Sequence, residues 1–485
     1  MQDSVVSESD RLPDGFEVKL GAWTHRCTDG RTLYGDAGSL LRLRPAAVER
    51  IDANGVLRVE DPTSRTLARL LLDRGMAEPR WPDSVPPFRT DDITLVIPVR
   101  DRAAAVDRLL ANCVGVRAVV VDDGSLDPDE LSAVCERHGA RYVRHTQSRG
   151  PAAARNTGLG QVHTELVAFV DSDVVLDVEA LTVLRRHFTD PKVGLVAPRI
   201  LGLVEDGSAL HRYEAACSSL DLGDQPALVR PHARVSYLPS AAMLARKSAL
   251  GNGFDESMQV AEDVDLVWRM ASRWSVRYEP NAQVQHEHRA RFREWFGRKL
   301  LYGTGAAPLA IRHGSAVAPA VLTPWTAAVT VALLAQQRWS PLLVAGATAA
   351  LWRGLRQRFA TADDPAGSAT ALTKVAMRSS LEQTATIVTR HYVPLTLGLV
   401  PFSKRARRAY VASAVLAGLV AHRRKRPALD PVRFIALRTL DDLAYGLGLW
   451  WGALAARSPE ALIPLVRRGI RSRRGDAEAR PERPG

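Results

Sequence analysis

Two aspartates separated by one small residue, Asp171-Ser172-Asp173, close the apolar run Leu166-Val167-Ala168-Phe169-Val170. A buried strand ending this way sets both carboxylates at the carboxyl edge of a sheet, where open α/β folds hold their ligands. Two hard oxygen donors with coordination positions to spare suit Mg2+ or Mn2+ bridging a diphosphate. Such a triplet is also ordinary turn chemistry, so its neighbours decide.

Those neighbours point the same way. A first strand ends in Ile97-Pro98-Val99-Arg100-Asp101. A proline is tolerated at a strand's end, where the backbone can turn toward a ligand. A second strand ends in Val121-Asp122-Asp123-Gly124-Ser125, and acids at that place suit a base or ribose hydroxyl. The same residues also make a good turn and helix cap. Next comes Ser148-Arg149-Gly150-Pro151-Ala152-Ala153-Ala154-Arg155-Asn156-Thr157-Gly158. Its small residues let a helix start close to a ligand, and Arg155 offers a planar fork of donors to anionic oxygens. Pro98, Val99, Arg100, Asp122, Asp123, Arg155, Asp171 and Ser172 form the predicted donor-nucleotide set, with Asp171 and Asp173 toward a metal.

Two later clusters complete the chemistry. Ala261-Glu262-Asp263-Val264-Asp265 opens an apolar helix. Acids there are stabilised by the helix dipole, which accounts for two of the three. The third can serve as general base, and Asp263 takes that role, with Glu262 and Asp265 on the acceptor side. In Gln285-His286-Glu287-His288, one imidazole can join Asp173 on the metal, and His286 is preferred over His288.

The elements that must hold these residues are legible from periodicity. From Asp91 onward, apolar strands at 93–99, 116–121, 142–143 and 166–170 alternate with helices at 103–113, 129–138 and from 151. That alternation predicts an α/β domain, Rossmann-like, with a mostly parallel sheet covered on both faces. A small α+β unit precedes it over residues 1–80, and a proline-rich linker is read at 81–90. The catalytic domain is assigned to 91–312, a helical apolar and basic region to 313–474, and a disordered tail to 475–485.

The 485-residue chain carries a formal net charge of +12, which suits an anionic partner such as a phosphorylated substrate or a membrane surface. Its four cysteines are scattered, which fits a reducing compartment and argues against structural zinc. The polar, acidic first ten residues lack a secretory signal, so the catalytic part is expected in the cytoplasm. The stretch 316–335 is free of charge and long enough to cross a bilayer, or else packs as a hairpin on the enzyme. Basic runs at Lys404-Arg405-Ala406-Arg407-Arg408 and His422-Arg423-Arg424-Lys425-Arg426, and another over 467–474, flank further apolar helices. They favour the cytoplasmic face of a membrane over nucleic acid.

Taken in order, the motifs resemble those of the family 2 glycosyltransferases. They run from Val96-Ile97-Pro98-Val99, through Asp122-Asp123-Gly124-Ser125, the Gly150–Gly158 segment, Asp171-Ser172-Asp173 and Gly253-Phe254-Asp255-Glu256, to Glu262-Asp263-Val264-Asp265-Leu266 and His286-Glu287-His288-Arg289. The resemblance implies a GT-A fold, a sugar-nucleotide donor, Mn2+ or Mg2+, inversion at the anomeric carbon, and Asp263 as base. The Gln-x-x-Arg-Trp motif of processive synthases is not evident, and Trp295, Arg298 and Lys299 on the following amphipathic segment stand as its acceptor-side counterparts. Three further segments, Arg212–Gly223, Val235–Ala242 and Tyr302–Leu309, look like those of the mycofactocin-biosynthesis glycosyltransferases. That likeness implies glucose transfer from UDP-glucose onto a peptide-derived redox cofactor precursor, premycofactocin, building a short β-linked oligoglucan. It also implies a leading winged-helix, PqqD-like peptide-chaperone domain. A membrane-associated family 2 enzyme acting on a lipid or cell-wall polysaccharide would share every catalytic motif.

Overall fold

The computed structural model describes residues 10–27, 30–35, 40–81, 90–203, 207–287, 291–360 and 364–466. Most of the linker, His288, the basic run from 467 and the tail lie outside them.

The catalytic sheet begins as the apolar runs predict. Strand β1 (Ile93–Val99) is followed by α1 (Ala103–Asn112), β2 (Arg117–Asp123), α2 (Pro128–His138), β3 (Arg141–His145), α3 (Pro151–Leu159) and β4 (Leu166–Val170). These four strands run parallel in the order β3-β2-β1-β4. Beyond β4 the sheet departs from the expectation of a mostly parallel one. A short β5 (Val174–Val175) and α4 (Val178–Arg186) lead to the long β6 (Val193–Leu203). Helix α5 (Ala209–Cys217) and β7 (Ala227–Leu228) come before β8 (Ala242–Arg246), then α6 (Glu262–Ala271) and β9 (Ser275–Glu287).

Strand β8 lies between β4 and β6 and is antiparallel to both, while β6 and β9 pair in parallel. The sheet is therefore mixed, because the chain returns across it after a long excursion instead of through another crossover helix. This reversal has a functional result. The β8 segment enters from Ser240-Ala241 beside Asp171, whose amide donates to the Ala241 carbonyl at 2.9 Å.

The leading unit has a buried core of its own around Val18, Leu57, Leu67 and Leu71. Strand Glu17–Leu20 pairs antiparallel with Val56–Arg58 and Ala77–Arg80. Helix Pro62–Asp73 starts at an Asp61–Ser64 capping box, which satisfies two backbone donors that the helix itself leaves without a partner. This α+β unit is docked through charge: Arg69 meets Asp190 at 2.6 Å and Lys192 meets Asp73 at 2.7 Å. Arg277, inside β9, reaches Glu78 at 2.8 Å.

After β9 come α7 (Phe292–Thr304) and α8 (Ala306–His313). The charge-free stretch forms no span. Pro319 and Pro324 divide it, and α9 (Pro324–Ala335) starts only at the Thr323 cap and ends at left-handed Gln336. Helices α10 (Ser340–Arg358), α11 (Pro365–Thr386), α12 (Val393–Leu399), α13 (Lys404–Lys425) and α14 (Pro431–Ala455) complete the region. Among the described residues, no helix is long and apolar enough to cross a membrane.

Helix α14 instead packs on α7 through small residues. A Cβ at Gly448 would run into the Leu300 carbonyl, and one at Gly303 would meet the backbone of Tyr445 and Leu449. So close an approach of two backbones requires glycine on both sides. The helical region is thereby seated against the catalytic domain.

Candidate active site

The carboxyl edge of the sheet opens into a cavity of about 1120 Å3. Its donor end is built by loops laced to one another. Asp101, in the left-handed region at φ 57°, gives its amide to Ser125 Oγ at 2.9 Å. Its carboxylate accepts from the Leu126 amide at 2.7 Å. Pro98, Val99 and Arg100 line the cavity just before that turn.

The two acids after β2 have separate tasks. Asp123 lines the cavity and accepts from the amides of Arg149 (2.8 Å) and Gly150 (2.9 Å), from Ser148 Oγ (2.7 Å) and from His145 Nδ1 (2.7 Å). Burial alone would raise its carboxyl, but these bonds outweigh that and hold it below its ordinary value. Asp122 does not fit the donor-binding role expected of it. It is fully buried, its oxygens take the Ser125 amide (2.8 Å) and Tyr142 hydroxyl (2.7 Å), and it does not line the cavity. Its carboxylate shapes the turn.

Arg155 forms the centre. It is 3% exposed and joins Asp171 at 2.7 Å to Glu262 at 3.0 Å. Its guanidinium also lies over the Phe254 ring at 5.3 Å. Asn156 fixes the same helix to the Gly253–Glu256 loop, donating to the Phe254 carbonyl at 2.8 Å and accepting from the Phe254 amide at 2.9 Å. One α3 turn thus ties the donor edge to the segment carrying the acceptor-side acids.

Asp173 faces His286, 3.4 Å from Nε2, and Arg102, 3.0 Å away. Burial opposes its ionisation, yet the His286 hydrogen bond and the Arg102 charge hold it down to about 2. The pair exists because β5 runs antiparallel to β9 with Val174 opposite His286. An ionised carboxylate and an imidazole on one edge fit a divalent cation that takes its remaining ligands from water and diphosphate oxygens. Asp171 is turned to Arg155, and among the described residues no group of three or more His, Cys, Asp or Glu side chains is gathered as a closed metal site.

Asp263 sits half-buried on the cavity wall, accepting from the Ser240 amide at 3.1 Å and the Val264 amide at 2.8 Å. Burial and then the charge of Glu262 push its carboxyl up to about 6, against those amides and Arg155. Ala261 before it is left-handed at φ 65°, strain of a kind that clusters at functional sites. Gly305, between α7 and α8, lets the chain press on this turn, since a Cβ there would lie 2.9 Å from the Ala261 Cβ.

The remaining acceptor-side residues divide. Asp265 is buried away from the cavity, bound to Arg269 and His313 at 2.8 Å each, so it anchors helices rather than an acceptor. Trp295 and Arg298 both line the cavity. Trp295 is 3% exposed with its indole N–H given to Glu214 at 2.8 Å, which leaves it a supporting role. Ser148, Glu214, Tyr237 and Lys299, from segments the sequence singles out, line the same cavity, as do Arg390, Asp441 and Tyr445, which sequence reasoning missed. No local motif marks those last three; distant packing brings them to the cavity.

A parallel sheet half, acids at its carboxyl edge and a carboxylate across the cavity define a sugar-transfer site. The glycosyl transferase family 2 model matches residues 94–251, and the catalytic domain has the GT-A fold with a mixed sheet. The pre-mycofactocin glycosyltransferases of two Mycobacterium tuberculosis strains are 42% identical over 472 residues, covering 94% of this chain and 99% of theirs. The chain belongs to the pre-mycofactocin glycosyltransferase family, within glycosyltransferase family 2. The poly-beta-1,6-N-acetyl-D-glucosamine synthase of Staphylococcus aureus (strain COL) is 24% identical over 204 residues, 40% of this chain and 49% of that one. A Pyrobaculum calidifontis mannosyltransferase, solved with GDP-Man and Mn2+, aligns over 77% of this chain and 91% of its own at 18% identity and a TM-score of 0.42.

Proposed function

We propose that this enzyme moves glucose from UDP-glucose, with inversion, onto the peptide-derived redox cofactor precursor premycofactocin, and repeats the step to build a short β-linked oligoglucan. The single observation that carries the reading is the position of Asp263 in the same cavity as the Asp171–Asp173 edge, with Arg155 between them. The end-to-end likeness to relatives named for pre-mycofactocin supports the acceptor.

Asp123, through the Ser148–Gly150 turn it organises, shapes the pocket for the base and ribose. Asp173 and His286 would hold Mn2+ or Mg2+, with Asp171 alongside. The cation, when bound, neutralises charge on the departing diphosphate. Asp263 takes the proton of the acceptor hydroxyl as that oxygen bonds to the anomeric carbon and the bond to the diphosphate breaks on the opposite face. No covalent enzyme intermediate is required.

We place the enzyme at the cytoplasmic face of the membrane, at its surface. Phe402 is 89% exposed and Leu399 56% exposed beside the Lys404–Arg408 basic run, a pairing suited to anionic lipid. The test is mass spectrometry of products from purified full-length protein, UDP-glucose, Mn2+ and either the peptide-derived precursor or a lipid extract, with and without anionic vesicles. Hexose additions to the precursor, faster with vesicles, are expected. Hexose on lipid alone would overturn the acceptor, and indifference to vesicles would overturn the surface location.

A further inference from the structure

The cavity does not end at the catalytic domain. Its far wall is made by the helical region, where Arg390 and Tyr445 line the same space as Asp263. Arg390 lies at the end of a π-helical turn (Ile387–His391) that follows α11, and Tyr445 on α14. The guanidinium carbon of Arg390 sits 3.8 Å from the Tyr445 ring centre, and Asp442 holds it from the side at 3.3 Å. Thr389 Oγ donates to the other Asp442 oxygen at 3.0 Å, which fixes that carboxylate. Tyr237, whose hydroxyl donates to the Ser219 carbonyl at 2.7 Å, and Tyr302 line the wall as well.

The charged groups at this end are paired with one another. Glu214, Asp441 and Asp442 balance Lys299, Arg390 and Arg298, and Lys299 lies 3.0 Å from Glu214 and 3.3 Å from Asp441. Charges that cancel in this way leave no net field to select an ionic ligand. Aromatic faces rimmed by hydroxyls and N–H groups instead suit an uncharged ring bearing hydroxyls, whose C–H face stacks while its edge hydrogen-bonds.

We propose that Arg390 and Tyr445 of the helical region form the acceptor subsite, binding an uncharged, hydroxyl-bearing ring and presenting its hydroxyl to Asp263. The inference rests on the functional reading above and assigns to the C-terminal helices a part in substrate choice. The tight α7–α14 seating through Gly303 and Gly448 then holds the acceptor wall in fixed register with the catalytic carboxylate.

The test uses full-length protein with UDP present and p-nitrophenyl β-D-glucopyranoside as the ring probe, titrated calorimetrically. The wild type is expected to bind the probe. Tyr445→Ala should weaken it about tenfold or more, and Tyr445→Phe by less than about threefold, the scale of a lost aromatic contact against a retained one. UDP affinity should be unchanged in both, which also reports an intact fold. Wild type that ignores the probe, equal probe affinity in Tyr445→Ala, or UDP affinity falling in step with probe affinity would each overturn the subsite. Failure of the functional reading shows elsewhere, as absence of hexose on the peptide-derived precursor from an enzyme that still binds the ring.

Discussion

Asp263→Asn lowers kcat by about 10²- to 10⁴-fold at pH 7, the range that removal of a general base produces, while UDP affinity stays within about twofold of wild type. The amide keeps the shape of the carboxylate, and its one oxygen can still accept from either the Ser240 or the Val264 amide, so the wall persists with one of those two bonds lost. What it loses is a site for the acceptor proton. Wild-type activity should also depend on pH in a defined direction. The Asp263 carboxyl is pushed up to about 6 and must be ionised to act, so kcat/KM rises as pH increases through 6 and levels above it. In the asparagine variant that rise disappears from the residual activity. Single-turnover measurements at pH 5.5 and 7.5 check both statements, and a variant that retains wild-type turnover would remove Asp263 from the chemistry.

Arg155→Met is the second large effect. Burial would lower the Arg155 pKa, but the charges of Asp171 and Glu262 more than offset this, so the guanidinium stays charged between them. Removing it strands Glu262 in the interior and frees Asp171 from its position. Breaking one side of a buried pair costs about 3–5 kcal/mol, and the partial exposure of Asp171 places this case near the lower end. Urea unfolding should show a midpoint reduced accordingly, with transfer lost even at concentrations of denaturant where the variant is folded. Arg155→Lys should recover part of the stability and little of the activity, since an ammonium cannot hold two carboxylates in the same planar geometry. Wild-type stability in Arg155→Met would show that the bridge is incidental.

The contrast between these residues and the ones that escaped notice explains what a sequence discloses. Asp171, Asp173 and Asp263 each sit where a strand ends or a helix begins, with Arg155 one turn into α3, and apolar periodicity places such points well. Strands β1 and β4 fall over 93–99 and 166–170, the bounds read from those apolar runs. Asp122 misled because an acid at a strand's end looks the same whether it faces a ligand or bonds its own turn. Only Tyr142, on the neighbouring strand, settles that. The antiparallel β8 was hidden for a related reason, since a short apolar run carries no mark of direction.

Composition left the helical region open between a span and a hairpin packed on the enzyme. Absence of charge over 316–335 reads as a span when residues are counted, but two prolines and a cap at Thr323 stop the helix from forming early enough. Arg390 and Tyr445 had no motif to betray them. Their place in the cavity depends on α14 lying against α7, a contact set by isolated glycines far apart in the chain. Helix packing of that kind is decided by shape over long separation, which periodicity does not record.

The reaction proposed for this enzyme is a single displacement at the anomeric carbon, with Asp263 on the face opposite the departing diphosphate. Proton NMR of the first glycosylated product, formed from α-linked UDP-glucose, tests it directly. Inversion gives the large anomeric coupling of a β-glucoside, the expected result. The small coupling of an α-glucoside would mean retention, and with it a different role for Asp263.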